Sequence, residues 1–162
     1  MQYYKNVLDK KTLNKIRFEL DKLIPQQVWS NNLQNWQPHL YQHSNGLCLS
    51  YDIHGEFKEE ILNSIDKFLP RYTDCGVKFH IWEEGSSIIM HDDEKFKFGA
   101  TLYLNKVWNP NYGGLFVYED NTTNDLKVIC PLYNSLVIVD KKELHSVTQI
   151  GYNINEPRFT LQ

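Results

Sequence analysis

The sequence predicts a mainly β, α+β chain in which a jelly roll, or double-stranded β-helix, is buttressed by N-terminal helices. Two observations predict it. Residues 1–70 contain two segments of helical hydrophobic period, each stopped by a proline. From Gly76 onward, eight short β-rich runs follow, separated by turn residues. Helices first and strands afterwards read as helices packed on an antiparallel double sheet. A chain of 162 residues, 41% hydrophobic and rich in aromatics, fits a single domain. We expect 1–70 to be helical support and 76–162 to be the jelly-roll core.

In order along the chain, Asp9 or Thr12 is placed to cap a helix over 10–23. There Leu13, Ile16, Leu20 and Leu23 fall on one face, and Pro25 ends it. Residues 26–44 show no period and read as irregular, with one short strand near Val28. His39 and His43 have helical metal spacing, but Pro38, Asn45 and Gly46 frame them, so a loop is expected there. Leu47 to Tyr51 reads as a strand. A second helix fits 56–69, with Phe57, Ile61, Ile65 and Phe68 on one face and Pro70 as its stop. The expected core strands are 77–82, 87–90, 98–104, 115–118, 127–129, 135–139, 145–150 and 159–161. Trp29, Trp36, Tyr41 and Tyr51 are candidates for core packing or a substrate rim.

Composition excludes several classes. A net charge of −3, with only Arg17, Arg71 and Arg158 as arginines, gives no basic field for nucleic acid or an anionic membrane. Cys48, Cys75 and Cys130 are odd in number and far apart, so neither a disulfide framework nor a cysteine zinc site is expected. No secretory pattern opens the chain, and no apolar run reaches the roughly 18 residues of a membrane span. A cytoplasmic protein of microbial or viral origin is the expectation.

His91-Asp92-Asp93 closes a strand with two side chains of metal-ligand type. In extended chain, residues two apart share a face, so His91 and Asp93 look inward while Asp92 looks out. A third ligand must come from elsewhere, and His145, at the start of a late strand, is the candidate. Two imidazoles and one carboxylate on one face of an octahedron are the ligand set of non-haem Fe(II) oxygenases. Taken alone, His-x-Asp also fits a solvated turn beside Lys95 and Lys97, and a strand histidine is often structural.

The flanking segments add to the pair. Gly85 stands six residues before His91. Thr101-Leu102-Tyr103-Leu104-Asn105, Tyr112-Gly113-Gly114-Leu115-Phe116, the strand 136–139 after a turn at Asn134, Leu144-His145-Ser146-Val147 and Arg158-Phe159-Thr160-Leu161 follow in order. From Trp82 to Leu161 the chain thus resembles the 2-oxoglutarate-dependent Fe(II) dioxygenases of the prolyl 4-hydroxylase type. It departs from them in three places. Arg158 lies thirteen residues after His145, a longer spacing than is common. Trp82 stands where many relatives have tyrosine, and the chain stops four residues past Arg158.

The resemblance implies Fe(II) held by His91, Asp93 and His145, 2-oxoglutarate as cosubstrate, and ascorbate as an accessory. Arg158 would receive the far carboxylate of 2-oxoglutarate, since its planar fork matches a carboxylate as lysine does not. Tyr103 and Thr160 would help. A surface ion pair with Glu156 is the competing reading of Arg158, and a core tyrosine that of Tyr103. The implied reaction uses dioxygen to hydroxylate a prolyl residue, peptide or small amino-acid-like molecule, turning 2-oxoglutarate into succinate. The alternatives are a non-catalytic β-sandwich binding module and a jelly-roll metalloenzyme that does not use 2-oxoglutarate. Two adjacent glycines predict a sharp turn or close backbone approach at 113–114, and Asn134 suits a left-handed turn.

Overall fold

The computed structural model describes residues 1–31 and 38–162. Two antiparallel sheets face each other, and helices cover the outer side of the larger one. The strands are β1 (Gln2–Lys5), β2 (Ser30–Asn31), β3 (Cys48–Asp52), β4 (Lys78–Trp82), β5 (Ile88–His91), β6 (Phe98–Tyr103), β7 (Phe116–Glu119), β8 (Leu126–Ile129), β9 (Ser135–Asp140), β10 (His145–Val147) and β11 (Arg158–Leu161). The helices are α1 (Lys10–Leu23), α2 (Pro38–His43) and α3 (Gly55–Ile65), with a short 3-10 turn over Asp66–Phe68 after α3. The major sheet runs β1-β9-β6-β11-β4-β3-β2, and the minor sheet β5-β10-β7-β8.

Side-chain alternation divides the core into two layers. Phe79 and Ile81 of β4, Leu102 of β6, Leu136 and Ile138 of β9, and Phe159 and Leu161 of β11 pack outward against the helices. There they meet Leu13, Ile16 and Leu20 of α1 and Ile61, Leu62 and Ile65 of α3. The intervening positions point between the sheets. Tyr103, Val137 and Val139 meet Phe116 and Ile129 of the minor sheet, while Cys48 and Trp82 meet Ile88 and Val147. His80, Arg158 and Thr160 alternate with the helix-facing residues, so three polar side chains are turned into this inner space.

Local signals account for most boundaries. The Asp9 carboxylate accepts from the backbone N–H groups of Lys11 and Thr12 (2.8 and 3.0 Å), so the cap of α1 is Asp9, while the Thr12 hydroxyl donates back to it. Asn134 adopts φ 57°. Its amide donates to the Leu8 carbonyl (2.8 Å) and accepts from the Leu8 N–H (2.9 Å), tying the N-terminal segment to the turn before β9. Gly113 and Gly114 have φ of 68° and 61°. A Cβ on Gly113 would run into the Gln149 carbonyl oxygen, which accepts instead from the Gly114 N–H (3.3 Å). The glycine pair is what lets the loop lie against the chain after β10.

Three expectations are corrected. Residues 38–43 form a helix rather than a loop. Proline is preorganised for the first helical position and Gly46 (φ 76°) suits a stop, so the framing residues delimit a helix instead of excluding one. The N-terminal 70 residues are not helical support alone, because β1, β2 and β3 join the major sheet. The late strand expected to reach Ile150 ends at Val147, with Ile150 making an isolated bridge to Gly113. Trp29 and Tyr51 take the core-packing role expected for them, on the helix side, with their rings 6.0 Å apart. Trp36 and the Tyr41 side chain lie outside the described residues.

Candidate metal and cosubstrate site

The minor sheet brings three ligand-type side chains to one point. His145 pairs with His91 across β10 and β5, and the two rings stand 4.4 Å apart. Asp93 follows just beyond the end of β5, its Oδ2 3.7 Å from Nε2 of His145. One ligand atom from each of His91, Asp93 and His145 lies within 4.8 Å of the others, which is one ion's reach. Asp92 is exposed and Asp93 half-buried, as alternation requires. A register shift between the His145 and Val147 pairings marks a bulge in β5 between Ile88 and His91. It turns both residues inward and leaves the His91–Asp93 alternation intact.

The backbone fixes which nitrogens would face an ion. Nδ1 of His91 lies 2.7 Å from the Ile89 carbonyl, and Nδ1 of His145 lies 2.9 Å from that of Glu143. A carbonyl only accepts, so each Nδ1 carries the proton and each Nε2 presents its lone pair to the centre. Burial, with the neighbouring His145 second, holds the His91 pKa below the ordinary histidine value, which favours the neutral ligand form. The Phe116 ring stacks on His145 at 5.4 Å and restricts its rotation. Gly99 leaves the Asp93 carboxylate its space, since a Cβ there would stand 2.5 Å from Oδ2.

Across the inner space, the major sheet presents a buried polar group. Arg158 is 1% exposed, and its Nε and Nη1 have no hydrogen-bond partner among the described residues. The Tyr103 hydroxyl and Thr160 Oγ1 are likewise buried and unpartnered. The Arg158 guanidinium sits 5.1 Å from the Tyr103 ring and 5.4 Å from the Trp82 ring. It opposes the upward push of burial on the Tyr103 pKa. Glu156 pairs with Arg17 instead (3.4 Å), so the competing ion-pair reading of Arg158 is wrong. A buried cation with unused donors is costly unless a partner arrives. A carboxylate answers that donor set.

Two residues to which the sequence assigns no role stand out. Asn105 is buried, donates to the Pro157 carbonyl (2.8 Å) and accepts from the Phe159 N–H (2.7 Å). It therefore clamps the backbone on both sides of Arg158. It closes the run Thr101–Asn105, and nothing local in that run encodes what it holds. His80 lies wholly buried beside Thr160, both ring nitrogens unpartnered among the described residues. Nothing in the sequence around a lone strand histidine signals that. His39, His43 and His54 stay on the surface or at a helix start, away from the triad. An open cleft of about 620 Å³ lies beside the Asp93 loop, lined by Glu94–Lys97 and Asp140–Lys142, and none of the unpartnered buried groups borders it.

Residues 77–162 match the model of the 2OG-Fe(II) oxygenase superfamily. Prolyl 3-hydroxylase OGFOD1 of Mus musculus is 30% identical over 84 residues, a match covering 48% of this chain and 15% of the mouse protein. A prolyl-4-hydroxylase of Pseudomonas putida superposes with TM-score 0.77 at 16% identity, covering 99% of this chain and 88% of that one. A prolyl hydroxylase from Trichoplax adhaerens, in complex with a hypoxia inducible factor oxygen degradation domain peptide, superposes at 0.79 with 17% identity, covering 99% and 80%.

Proposed function

This chain belongs to the 2OG-Fe(II) oxygenase superfamily, a family of enzymes that use Fe(II) and 2-oxoglutarate, and on that premise we propose that it hydroxylates a prolyl residue. The substrate would be a peptide or small amino-acid-like molecule, and 2-oxoglutarate would lose carbon dioxide to give succinate. We propose further that residues 1–162 act as one catalytic domain. The observation that carries this reading is the pairing of two half-sites. A His-Asp-His cluster sits at the minor sheet, and a buried guanidinium whose Nε and Nη1 have no hydrogen-bond partner among the described residues sits on the major sheet.

In this reading His91, Asp93 and His145 hold Fe(II), and Asp93 offsets part of its charge. A metal held by these three side chains would supply the oxidising chemistry of the reaction. Arg158 receives the far carboxylate of 2-oxoglutarate, with the Tyr103 hydroxyl and Thr160 Oγ1 as neutral donors. Asn105 keeps Arg158 in place, and Trp82 and Phe116 exclude water. The prolyl substrate class is supported by the relatives, which are prolyl hydroxylases by name, one of them seen with a peptide.

Anaerobic titration with Fe(II), followed by a screen of prolyl peptides and free amino acids with succinate as readout, tests the proposal. Stoichiometric iron binding and 2-oxoglutarate-dependent succinate formation are expected. Iron binding without any uptake of 2-oxoglutarate would instead support a metalloenzyme of another chemistry. The unpartnered donors of Arg158 argue against that reading.

A further inference from the structure

We infer that His80 is a binding residue of this chain, a neutral N–H donor to the carboxylate that Arg158 receives at the buried end of the cosubstrate pocket. The inference rests on the 2-oxoglutarate reading above and adds to it a further ligand contact. It starts from the sheet register. His80 on β4 stands directly opposite Thr160 on β11, and Thr160 stands opposite Tyr103 on β6, so the three form one row across adjacent strands. Arg158 faces Trp82, which places it diagonally from His80 on the same face. Directly opposed side chains have Cβ atoms about 5 Å apart, and diagonal neighbours remain within reach of long side chains.

All four groups share one condition: each is buried, and each has polar atoms without a partner among the described residues. For His80 this holds for both ring nitrogens. Buried polar groups are nearly always satisfied, so four neighbouring exceptions on one face point to a shared partner. Two facts set its chemistry. Arg158 supplies the positive charge, so the partner is an anion. His80 itself is kept neutral by burial, then by the nearby charges of Lys78 and Arg158, against the weaker pull of Asp52; its pKa falls to about 3. A neutral imidazole donates one N–H and adds no second cation beside Arg158, so it completes the donor set without raising the charge. A core histidine serving packing alone would have a protein carbonyl or hydroxyl against at least one nitrogen.

The test measures 2-oxoglutarate binding by calorimetry on Zn(II)-loaded protein, in which turnover is blocked. His80→Phe keeps the ring and removes the donor, while His80→Gln restores an amide N–H. The expected result is a loss of 2-oxoglutarate affinity of at least tenfold in His80→Phe, recovery to within about threefold of wild type in His80→Gln, and unchanged metal affinity in both. Should His80→Phe fail to fold, the ring ¹⁵N signals of His80 in the wild-type protein decide, since they must shift on adding 2-oxoglutarate. Wild-type affinity in His80→Phe, equal losses in both variants, or an unmoved ring signal would overturn the inference. A wild-type protein that does not bind 2-oxoglutarate at all would remove the function proposed above, and this inference with it.

Discussion

At the scale of single residues, neighbouring aspartates should behave oppositely. Asp93 points at His145, and Asp92 points to solvent. Asp93→Ala should abolish iron binding and succinate formation, whereas Asp92→Ala should keep most of both, because an exposed charge near lysines is worth roughly 0–1 kcal/mol. Iron titration of the two variants checks this. Arg158→Ala should weaken 2-oxoglutarate binding by ~2–5 kcal/mol, the usual loss for truncating one side of a buried charge pair, while iron affinity stays the same. Calorimetry separates the two effects. The convergence of His91, Asp93 and His145 was legible in the sequence because ligand types are few and strand alternation has a fixed period, which selects Asp93 over Asp92. His80 was not legible. What matters about it is the Thr160 opposite, eighty positions away, and no local pattern encodes a cross-strand partner.

At the scale of elements, backbone placement governs the site. Asn105 holds the carbonyl before and the N–H after Arg158. Asn105→Ala should lower 2-oxoglutarate affinity without touching the ligand, and it also leaves buried backbone groups unpaired at about 1–3 kcal/mol. A fall in both affinity and melting temperature is expected, with iron affinity kept. Gly99→Ala on β6 should act on the other half-site. Its new methyl meets the Asp93 carboxylate, which swings away at little cost to the fold, so iron affinity falls while stability changes by roughly 1 kcal/mol. α1 and α3 were readable from their apolar stripes and stops, since period and capping are local. β1 was not. Tyr3 and Tyr4 have no strand flanks of their own, and the pairing that makes β1 a strand comes from β9, more than 130 residues on. α2 was misread because Pro38 and Gly46 mark edges of helices as well as of loops.

At the scale of the whole molecule, His80 links protonation to stability. Its pKa is about 3 in the fold, against 6.5 for the free side chain. Below pH 6.5 the unfolded chain takes up a proton that the folded chain refuses, so stability is complete above that pH. It is lost progressively as pH falls toward 3, by about 1.4 kcal/mol per unit. His91, also shifted down, adds in the same direction. Denaturant melts from pH 7 to pH 4 should show this slope, and it should flatten in His80→Gln. The two-sheet architecture was legible as well, because short strands between turn residues after two helices leave few other ways to close a core. The division of labour between the sheets was not. The iron-type ligands come from the minor sheet and the anion-type donors from the major one. A cosubstrate that chelated the metal at one end and met Arg158 at the other would therefore be a strut between two plates. It would resist their breathing apart, much as a rung stiffens a ladder, so amide exchange should slow together in β10 and β11, strands that share no hydrogen bond with each other.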